Sequence, residues 1–427
     1  MLSSKLRSHL AADTPVRDTY RLWLGAVYVT IFGTLSFNFL LAVINTNVAR
    51  ISETHVILTE LVLISIALVL AMTRSASFIA VLVLFLSYMA FIMALRPELD
   101  LKAFRDFLIP IAFYFVGRKF RTLEDIDRLI VRAAFLVLAI GLFEFFLLDV
   151  YTSLVNIFDY YVAKGTLSEG DNFVQGSTLF VSSTRVGGRN FFPFLGQVRA
   201  SSVFLEPVTM GNFGAFLSLW AFARPDCKDR YLLFFMSFVA IVLGDARFGM
   251  FVCIAFLIVT VITPLVSRIV WWGLFFLISL ALGIYGATVE GDHWADSFTG
   301  RVVHSAQLMM KLDWTSLFGI ANNLPFLDDN GFAYTFSQIG LVGLTTLWSF
   351  YVFAKSNQPQ AARFKALMVT FICLMMVVSN SIYSIKLAAL LWLASGAMDG
   401  TPYAPPLVQK ATRSTRNAAS MLRTKMS

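Results

Sequence analysis

The segment from residue 185 to residue 211, RVGGRNFFPFLGQVRASSVFLEPVTMG, places fixed positive charge at the mouth of a membrane helix. Its polar, glycine-rich first part carries three arginines, Arg185, Arg189 and Arg199. It leads directly into an apolar run, 201–223, that is long enough to cross a bilayer, with Glu206 just inside. Because charge at that depth usually faces protein or a water-filled cavity, and because a guanidinium fits phosphate with two parallel hydrogen bonds, we predict a site for a lipid-linked phosphate. The alternative is that these arginines only bind lipid headgroups or loop carboxylates.

The composition is that of an integral membrane protein. Of the 427 residues, 58% are hydrophobic and only 14% are charged, whereas soluble domains carry about 25% charged residues. The net charge of +8 is scattered between apolar runs, which is not the footprint of a nucleic-acid-binding surface. The three cysteines show neither a disulfide framework nor a metal-ligand spacing with histidine. Since no obvious Asp-x-Asp pair lies in an outer loop either, we predict no metal, and we expect no cofactor.

Apolar runs of membrane-spanning length, with shorter ones inside a bundle, predict an all-α polytopic transmembrane helical bundle of about twelve spans. The predicted spans are 22–44, 55–73, 77–95, 104–117, 129–150, 201–223, 231–245, 248–266, 269–287, 331–354, 366–380 and 383–398. The fourth, seventh, eleventh and twelfth of these are short. An even number of spans places both termini on the same side of the membrane.

The distribution of lysine and arginine predicts which side that is. One set of loops and tails holds 22 of the 34 basic residues, and the positive-inside rule makes that set cytoplasmic. The predicted organisation is a cytoplasmic tail over 1–21, one transmembrane domain over 22–398 and a basic cytoplasmic tail over 399–427. The opposite side then carries two long loops, at about 151–200 and 288–330. Since neither loop is long enough to bury a core of its own, any chemistry is expected on helix ends beneath them.

Polar and charged side chains converge on the outer side in this topology. They are Arg185, Arg189, Arg199, Glu206, Asp245, Arg247, Arg301, His304, Asp328, Asp329, Asn330 and Lys386. Arg247 is the most informative, because it lies in the turn LGDARFG between two spans that have almost no loop joining them. Its guanidinium is therefore expected near the membrane edge, where it either serves a ligand or forms an ion pair with Asp245 that ties the turn.

The sequence leaves the general base of any transfer reaction open. The outer-side candidates are His304, Glu206, Asp328 and Asp329. His304 is otherwise an interfacial loop residue, and Glu206 is otherwise the buried partner of Arg199. Asp328 and Asp329 are otherwise caps of the helix that follows them, because aspartate favours helix starts.

Four local patterns, taken in order, resemble the O-antigen ligase and polymerase (Wzy-type) superfamily of bacterial polysaccharide assembly. The first is the entry to a span, Arg199-Ala-Ser-Ser-Val-Phe-Leu-Glu-Pro-Val-Thr-Met-Gly211. The second is the turn Asp245-Ala-Arg247-Phe-Gly. The third runs from Arg301 to the segment Trp314-Thr-Ser-Leu-Phe-Gly-Ile-Ala-Asn322. The fourth is Asp329-Asn330-Gly-Phe-Ala-Tyr-Thr-Phe-Ser-Gln-Ile-Gly-Leu-Val-Gly343, where the family has His-Asn followed by Gly-Leu-x-Gly.

The resemblance implies a membrane glycosyltransferase of the GT-C type whose donor is a glycan on undecaprenyl diphosphate. By position, Arg199 and Arg247 would hold the diphosphate, with Arg301 as a third contact, and Arg189 of the same loop joins these candidates. Asn330 would match the family's asparagine and is grouped with the catalytic candidates Glu206, Asp328 and Asp329. The family's histidine before that asparagine is Asp329 in this chain. The departure disfavours a ligase and favours a polymerase, with Asp329, Asp328 or Glu206 as base.

The resemblance therefore implies a polymerase of lipid-linked repeat units in bacterial exopolysaccharide biosynthesis, and we expect it to be metal-independent. It would lie in the inner membrane, with both termini cytoplasmic and the active site on the periplasmic side. Expected partners are the undecaprenyl-diphosphate-linked oligosaccharide, membrane lipids, and proteins of chain-length control and export, and no nucleic acid. Two alternatives stay open: a ligase that transfers glycan to another acceptor, and a flippase or transporter of the lipid-linked oligosaccharide.

Overall fold

The computed structural model describes residues 14–72, 75–96, 101–172, 174, 176–185, 187–289, 298–321, 327, 329–356 and 358–403. Within these residues every regular element is helical, and the one β-type contact is an isolated bridge between Thr184 and Val198. The helices are α1 Thr14–Asn47, α2 Glu53–Ala71, α3 Ala76–Leu95, α4 Leu101–Gly117, α5 Leu123–Phe146, α6 Leu148–Leu154, α7 Ile157–Ala163, α8 Pro207–Ala223, α9 Arg230–Leu243, α10 Arg247–Ile262, α11 Arg268–Thr288, α12 Phe298–Met310, α13 Trp314–Leu317, α14 Gly331–Phe353, α15 Ala361–Met376 and α16 Ile385–Gly400.

The prediction of a helical membrane bundle is confirmed. Each of the twelve predicted spans coincides with a helix, and seven of the described helices are long and apolar enough to cross a membrane. These seven are α1, α2, α3, α5, α10, α11 and α14. The other five predicted spans, α4, α8, α9, α15 and α16, are 14 to 17 residues long. The span number of twelve and the GT-C topology stay predictions.

Burial explains why several of the shorter helices lie inside the bundle. Helices α8, α15 and α16 are predominantly apolar and are buried along almost their entire length, as expected of helices surrounded by other helices. By contrast, only 22% of the most apolar stretch of α2, α3 or α10 is buried. The central contact is that of α4 with α16, where a Cβ on Gly396 would lie 1.8 Å from the carbonyl oxygen of Tyr114. The long, exposed apolar helices therefore form the lipid-facing periphery.

The start of the sixth predicted span differs from the prediction. The helix begins at Pro207 and not at residue 201, because Ser202–Phe204 forms a 3₁₀ turn and Leu205 takes a left-handed conformation with φ 62°. Glu206 is consequently the N-cap residue of α8, at the helix mouth and not within the helix. The first helix, in turn, begins at Thr14, inside the predicted 1–21 tail.

Helix α14 is interrupted in the middle. Gly340 has φ 64° and ψ 169°, so the i to i−4 hydrogen bonds stop there and restart. Arg96 donates to the carbonyls of Ser337 (3.0 Å) and Gln338 at the end of the first half. The same guanidinium donates to the carbonyl of Gly319 at 2.8 Å. The break is thus satisfied by a buried cation from the end of α3.

The two long connections, α5 to α8 and α11 to α14, lie at one end of the bundle, which we call the loop end. The first contains α6 and α7, so the 151–163 stretch is folded as parts of two short helices. The second contains α12, which packs against α11; a Cβ on Gly286 would lie 2.4 Å from the carbonyl oxygen of Ala306. The candidate site lies at this end.

Candidate functional site: an arginine-lined cavity

An open cavity at the loop end is lined by arginines from separate parts of the chain. Its described lining residues are Arg185, Arg199, Val208, Asn212, Asp245, Ala246, Arg247, Phe248, Gly249, Phe251, Arg301 and Val378. The cavity volume is about 70 Å³, and it opens into a wider space of about 620 Å³ that includes open solvent. Four guanidinium groups face one carboxylate among these residues, so the described wall is strongly positive. Arg199, Arg247 and Arg301, which the sequence placed together by topology, therefore do share one cavity.

The Arg247 turn is held against α8 by glycines. A Cβ on Gly211 would lie 2.1 Å from the Cβ of Ala246, and a Cβ on Gly249 would lie 2.9 Å from the carbonyl oxygen of Gly211. Only the absence of side chains lets the start of α10 approach α8 so closely. The N-cap residue Ala246 makes no side-chain cap hydrogen bond. The positive end of the α10 dipole is therefore turned toward the cavity without a carboxylate cap.

Gly211→Ala is expected to lower the stability of the protein by about 1–3 kcal/mol, because the new methyl group overpacks the contact with the Arg247 turn. The matched control is Gly25→Ala, since a Cβ there would meet nothing within 4 Å. Thermal unfolding in detergent measures both variants. Equal unfolding temperatures for the two variants would show that the α8–α10 contact accommodates the added methyl group without loss of stability.

Asp245 connects the separate parts of the site. Its side chain is fully buried, and one carboxylate oxygen lies 3.0 Å from Nε of Arg185. The same carboxylate accepts the backbone N–H groups of Asn190 at 3.1 Å and Phe191 at 2.8 Å. Asp245 therefore joins the first long loop to the turn that carries Arg247. The sequence offered Asp245 as an ion-pair partner for Arg247, which stays a prediction; the partners that the structure gives Asp245 are Arg185 and the loop backbone.

Arg199 and Arg189 have different surroundings although they lie in the same loop. Arg199 donates to the carbonyl of Gly244 at 2.9 Å and of Ser182 at 3.0 Å, and it also lines the cavity. Arg189 is buried, donates to the carbonyls that end α9, among them Leu243 at 3.2 Å, and is not among the cavity-lining residues. The cation at the C-terminus of α9 stabilises that helix end. Arg189 is thus better explained as a loop anchor than as the diphosphate ligand expected from the sequence.

Glu144, a buried acid near the end of α5, was missed by the sequence reasoning. Its carboxylate accepts the backbone N–H groups of Ser201 at 2.7 Å and Ser202 at 2.6 Å. It thereby fixes the 3₁₀ turn that follows Arg199. The available signal was a single glutamate in an apolar run, which marks an intramembrane ionisable group but does not reveal its partner.

Strained backbone is concentrated in the same region. The non-glycine residues with positive φ in the described chain are Phe192, Ser202, Leu205 and Asp245. Such conformations cost of order 1–3 kcal/mol each and persist where surrounding contacts enforce them. All four belong to the loop, the 3₁₀ turn or the α9–α10 turn that build the cavity end of the bundle.

Glu206 does not line the cavity and is engaged elsewhere. Lys386 donates to it at 3.0 Å, Thr209 donates to it at 2.8 Å, and the Tyr161 hydroxyl also donates to it. Its ion-pair partner is therefore Lys386 and not Arg199. Burial alone would raise the pKa of Glu206, but the ammonium groups of Lys386 and Lys164 outweigh burial and hold this pKa at about 2. A carboxylate with so low a pKa is a poor general base at neutral pH.

Lys164 is the unusual group beside Glu206. Its ammonium lies 3.8 Å from the centroid of the Tyr161 ring. Burial, together with the charge of Lys386, lowers the pKa of Lys164 to about 7. The amine of Lys164 therefore loses its proton more readily than that of an ordinary lysine.

We expect acylation of Lys164 by an amine-reactive reagent to titrate with a midpoint near its lowered pKa of about 7, while ordinary lysines titrate near about 10.4. Peptide mass spectrometry of protein labelled across a pH series measures this. In the Glu206→Gln variant the midpoint should move lower, because Glu206 supports the charged form of Lys164. A midpoint close to that of ordinary lysines in the unsubstituted protein would contradict the prediction.

The second long loop supplies the remaining predicted residues. Asn330 is the N-cap of α14: its side chain accepts the N–H of Ala333 at 2.9 Å and donates to the carbonyl of Ser305 at 2.6 Å. Asn330 is fully buried, so its amide ties α12 to α14. Asp329 lies 3.8 Å from Nε2 of His304. Asp328 lies outside the described residues.

His304 and Arg301 are both on α12, three residues apart and on one face of that helix. Arg301 lines the cavity, and His304 is paired with Asp329. The side chains of His304 and Asp329 are 17% and 41% exposed, so the pair is accessible. The described residues contain no group of three or more His, Cys, Asp or Glu side chains that could hold a metal ion.

Comparison with known proteins gives no family assignment. No protein-family model matches the chain, and no curated protein and no solved structure shows significant similarity to it. The resemblance of the motifs to the ligase and polymerase superfamily therefore stays a prediction.

Proposed function

We propose that the arginine-lined cavity binds the diphosphate of a polyprenyl-linked glycan and that the protein is a membrane glycosyltransferase that polymerises such glycans. The observation that supports this best is the convergence of Arg199, Arg247 and Arg301 on one cavity at the end of a membrane bundle. These residues come from a loop, the first turn of α10 and α12. A cluster of guanidinium groups at the edge of an apolar bundle fits a ligand that is anionic at one end and lipid at the other.

The cations would act on the leaving group. When the acceptor oxygen attacks the anomeric carbon of the donor glycan, the bond from that carbon to the diphosphate breaks and negative charge grows on the bridging oxygen. Preplaced donors stabilise such charge, and each can contribute about 3–4 kcal/mol to the transition state. The uncapped N-terminus of α10 adds a fixed dipole of the same sign.

His304 and Asp329 are the best-placed acid–base pair. The acceptor hydroxyl must lose a proton as its oxygen forms the new glycosidic bond, and histidine is the side chain that most often accepts a proton in such reactions. The pair is accessible, and His304 lies on the same face of α12 as Arg301. Glu206, held by Lys386, and Asn330, held by Ser305 and Ala333, have other roles.

The proposal includes the topology predicted from the positive charges. The loop end would face the outside of the bacterial inner membrane, with both termini in the cytoplasm. Its substrates would be undecaprenyl-diphosphate-linked oligosaccharides, and its partners proteins of chain-length control and export.

The test is incubation of the purified, reconstituted protein with lipid-linked repeat units, followed by sizing of the glycan on a gel. A ladder of repeat-unit spacing, together with release of the polyprenyl diphosphate, is the expected result. Transfer to a different acceptor with release of the same diphosphate would make the protein a ligase instead. No glycan of altered length and no released diphosphate would reject a transferase.

One observation favours a second candidate, a transporter of the same lipid-linked glycans. Transporters use interrupted helices with charges at the break, and α14 is broken at Gly340 beside Arg96. Reconstituted vesicles distinguish the two functions. Movement of the labelled lipid-linked glycan across the membrane with no change in glycan length would favour the transporter.

A further inference from the structure

The first long loop carries an exposed aromatic segment, Phe-Phe-Pro-Phe-Leu-Gly at 191–196, which we call the aromatic finger. Phe194 is 81% exposed and Phe192 is 44% exposed. Between Arg189 and Arg199 the sequence holds no charged residue. Phenylalanine is normally buried, so a charge-free exposed pair marks a contact surface.

Hydrogen bonds hold the finger at both of its ends. At its start, the N–H groups of Asn190 and Phe191 donate to the buried carboxylate of Asp245. At its end, Val198 bridges Thr184, and its carbonyl accepts from Arg189 at 2.6 Å.

The tip itself is compact. Phe192 has φ 53°, a left-handed conformation that an aromatic residue rarely adopts. The rings of Phe192 and Phe194 contact each other with centroids 5.6 Å apart. Fixed contacts therefore present these two rings outward.

The chain just before the finger contacts the end of α5. The guanidinium of Arg189, two residues before the finger, lies 5.4 Å from the centroid of the Phe145 ring near the end of α5. The next residues along α5 and α6 are exposed and apolar: Phe146 is 73%, Leu147 53% and Val150 50% exposed. The Arg189–Phe145 contact therefore brings the base of the finger next to an exposed apolar helix end.

We propose that the aromatic finger inserts into the interfacial region of the lipid bilayer at the loop end. Aromatic rings favour the boundary between headgroups and acyl chains, where a loop of this kind contributes apolar burial without crossing the membrane. The bilayer is favoured over a protein partner because Arg189, two residues before the finger, contacts α5 beside its exposed apolar end.

Insertion has a consequence for the cavity. Asp245, which holds the start of the finger, also pairs with Arg185 and lies two residues before Arg247. The anchored finger would therefore set these arginines at the depth of the lipid phosphates. This inference needs the protein to lie in a membrane but does not need it to be a glycosyltransferase.

The experiment places a polarity-sensitive fluorophore at the tip. Cys227, Cys253 and Cys373 are first replaced by alanine, and Phe194→Cys is labelled with NBD in vesicles that contain brominated lipids. Two labelled controls bracket the result: Glu169→Cys, exposed in the same long loop, and Phe238→Cys, 57% exposed on the membrane helix α9. Size-exclusion chromatography confirms that each labelled variant is folded.

The Phe194 label should emit at shorter wavelength than the Glu169 label, and brominated lipid should quench it at least about twofold more strongly. Its quenching by lipids brominated near the headgroup should exceed that by lipids brominated deep in the chain, the reverse of the Phe238 label. Emission and quenching equal to those of the Glu169 label would overturn the proposal and leave the finger as a surface for water-soluble partners.

Discussion

Arg247→Ala and Arg199→Ala are each expected to abolish polymer formation while the protein stays in the membrane. Both guanidinium groups line the cavity, so each substitution removes a positive charge from the place where the diphosphate would lie. Loss of one such contact typically lowers kcat by about 10²–10³-fold. The measurement is glycan length in reconstituted vesicles, with the amount of membrane-inserted protein determined in parallel.

One further variant separates the effect of charge from that of side-chain shape, and another serves as a control. Arg247→Lys keeps the charge but loses the two-pronged fork, so activity should be partly retained. Arg128→Ala is the matched control, because Arg128 is 59% exposed and pairs with Asp125 at the opposite end of the bundle. Normal glycan length in both Arg247→Ala and Arg199→Ala would remove the diphosphate role of the cavity, whatever the fate of the aromatic finger.

Asp245→Ala is expected to destabilise the protein more than any other single change in the site. The variant leaves the Arg185 guanidinium and the N–H groups of Asn190 and Phe191 without their shared acceptor. Breaking a buried ion pair by removing one partner costs about 3–5 kcal/mol. Thermal unfolding in detergent should show a large fall in the unfolding temperature.

A double variant tests whether the unpaired Arg185 cation causes the loss of stability. In Arg185→Ala with Asp245→Ala the uncompensated cation is gone, so the loss of stability should be smaller than the sum of the two single losses. Additive losses would mean that the Arg185–Asp245 pair does not couple, and that the loop amides alone account for the effect.

Hydropathy and charge were sufficient to predict the helical elements, because a span is encoded locally by a run of apolar residues. All twelve runs form helices, including the short ones that are buried inside the bundle. The start of α8 was placed six residues too early. The segment 201–206 is as apolar as a helix, but its path is set by Glu144, which binds its backbone from another helix.

The prediction of the site was more accurate for position than for role. Topology alone places Arg199, Arg247 and Arg301 at one end, and they share a cavity. The pairing of Glu206 with Lys386, 180 residues later, depends on the tertiary packing of α8 against α16 and leaves no local signal. Arg189 differs from Arg199 only in which carbonyls lie within reach, which no spacing rule predicts.

The break in α14 has a consequence for how α3 is joined to the second long loop. A continuous helix satisfies its own carbonyl groups, whereas the break at Gly340 leaves carbonyl groups that other parts of the chain must satisfy. Arg96 donates to the carbonyls of Ser337 and Gly319, while Tyr88 donates to the carbonyl of Ile339 at 2.6 Å and accepts the N–H of Gly343 at 3.1 Å. Two side chains of α3 and its C-terminal end thus connect both halves of α14 to the end of the second long loop at Gly319.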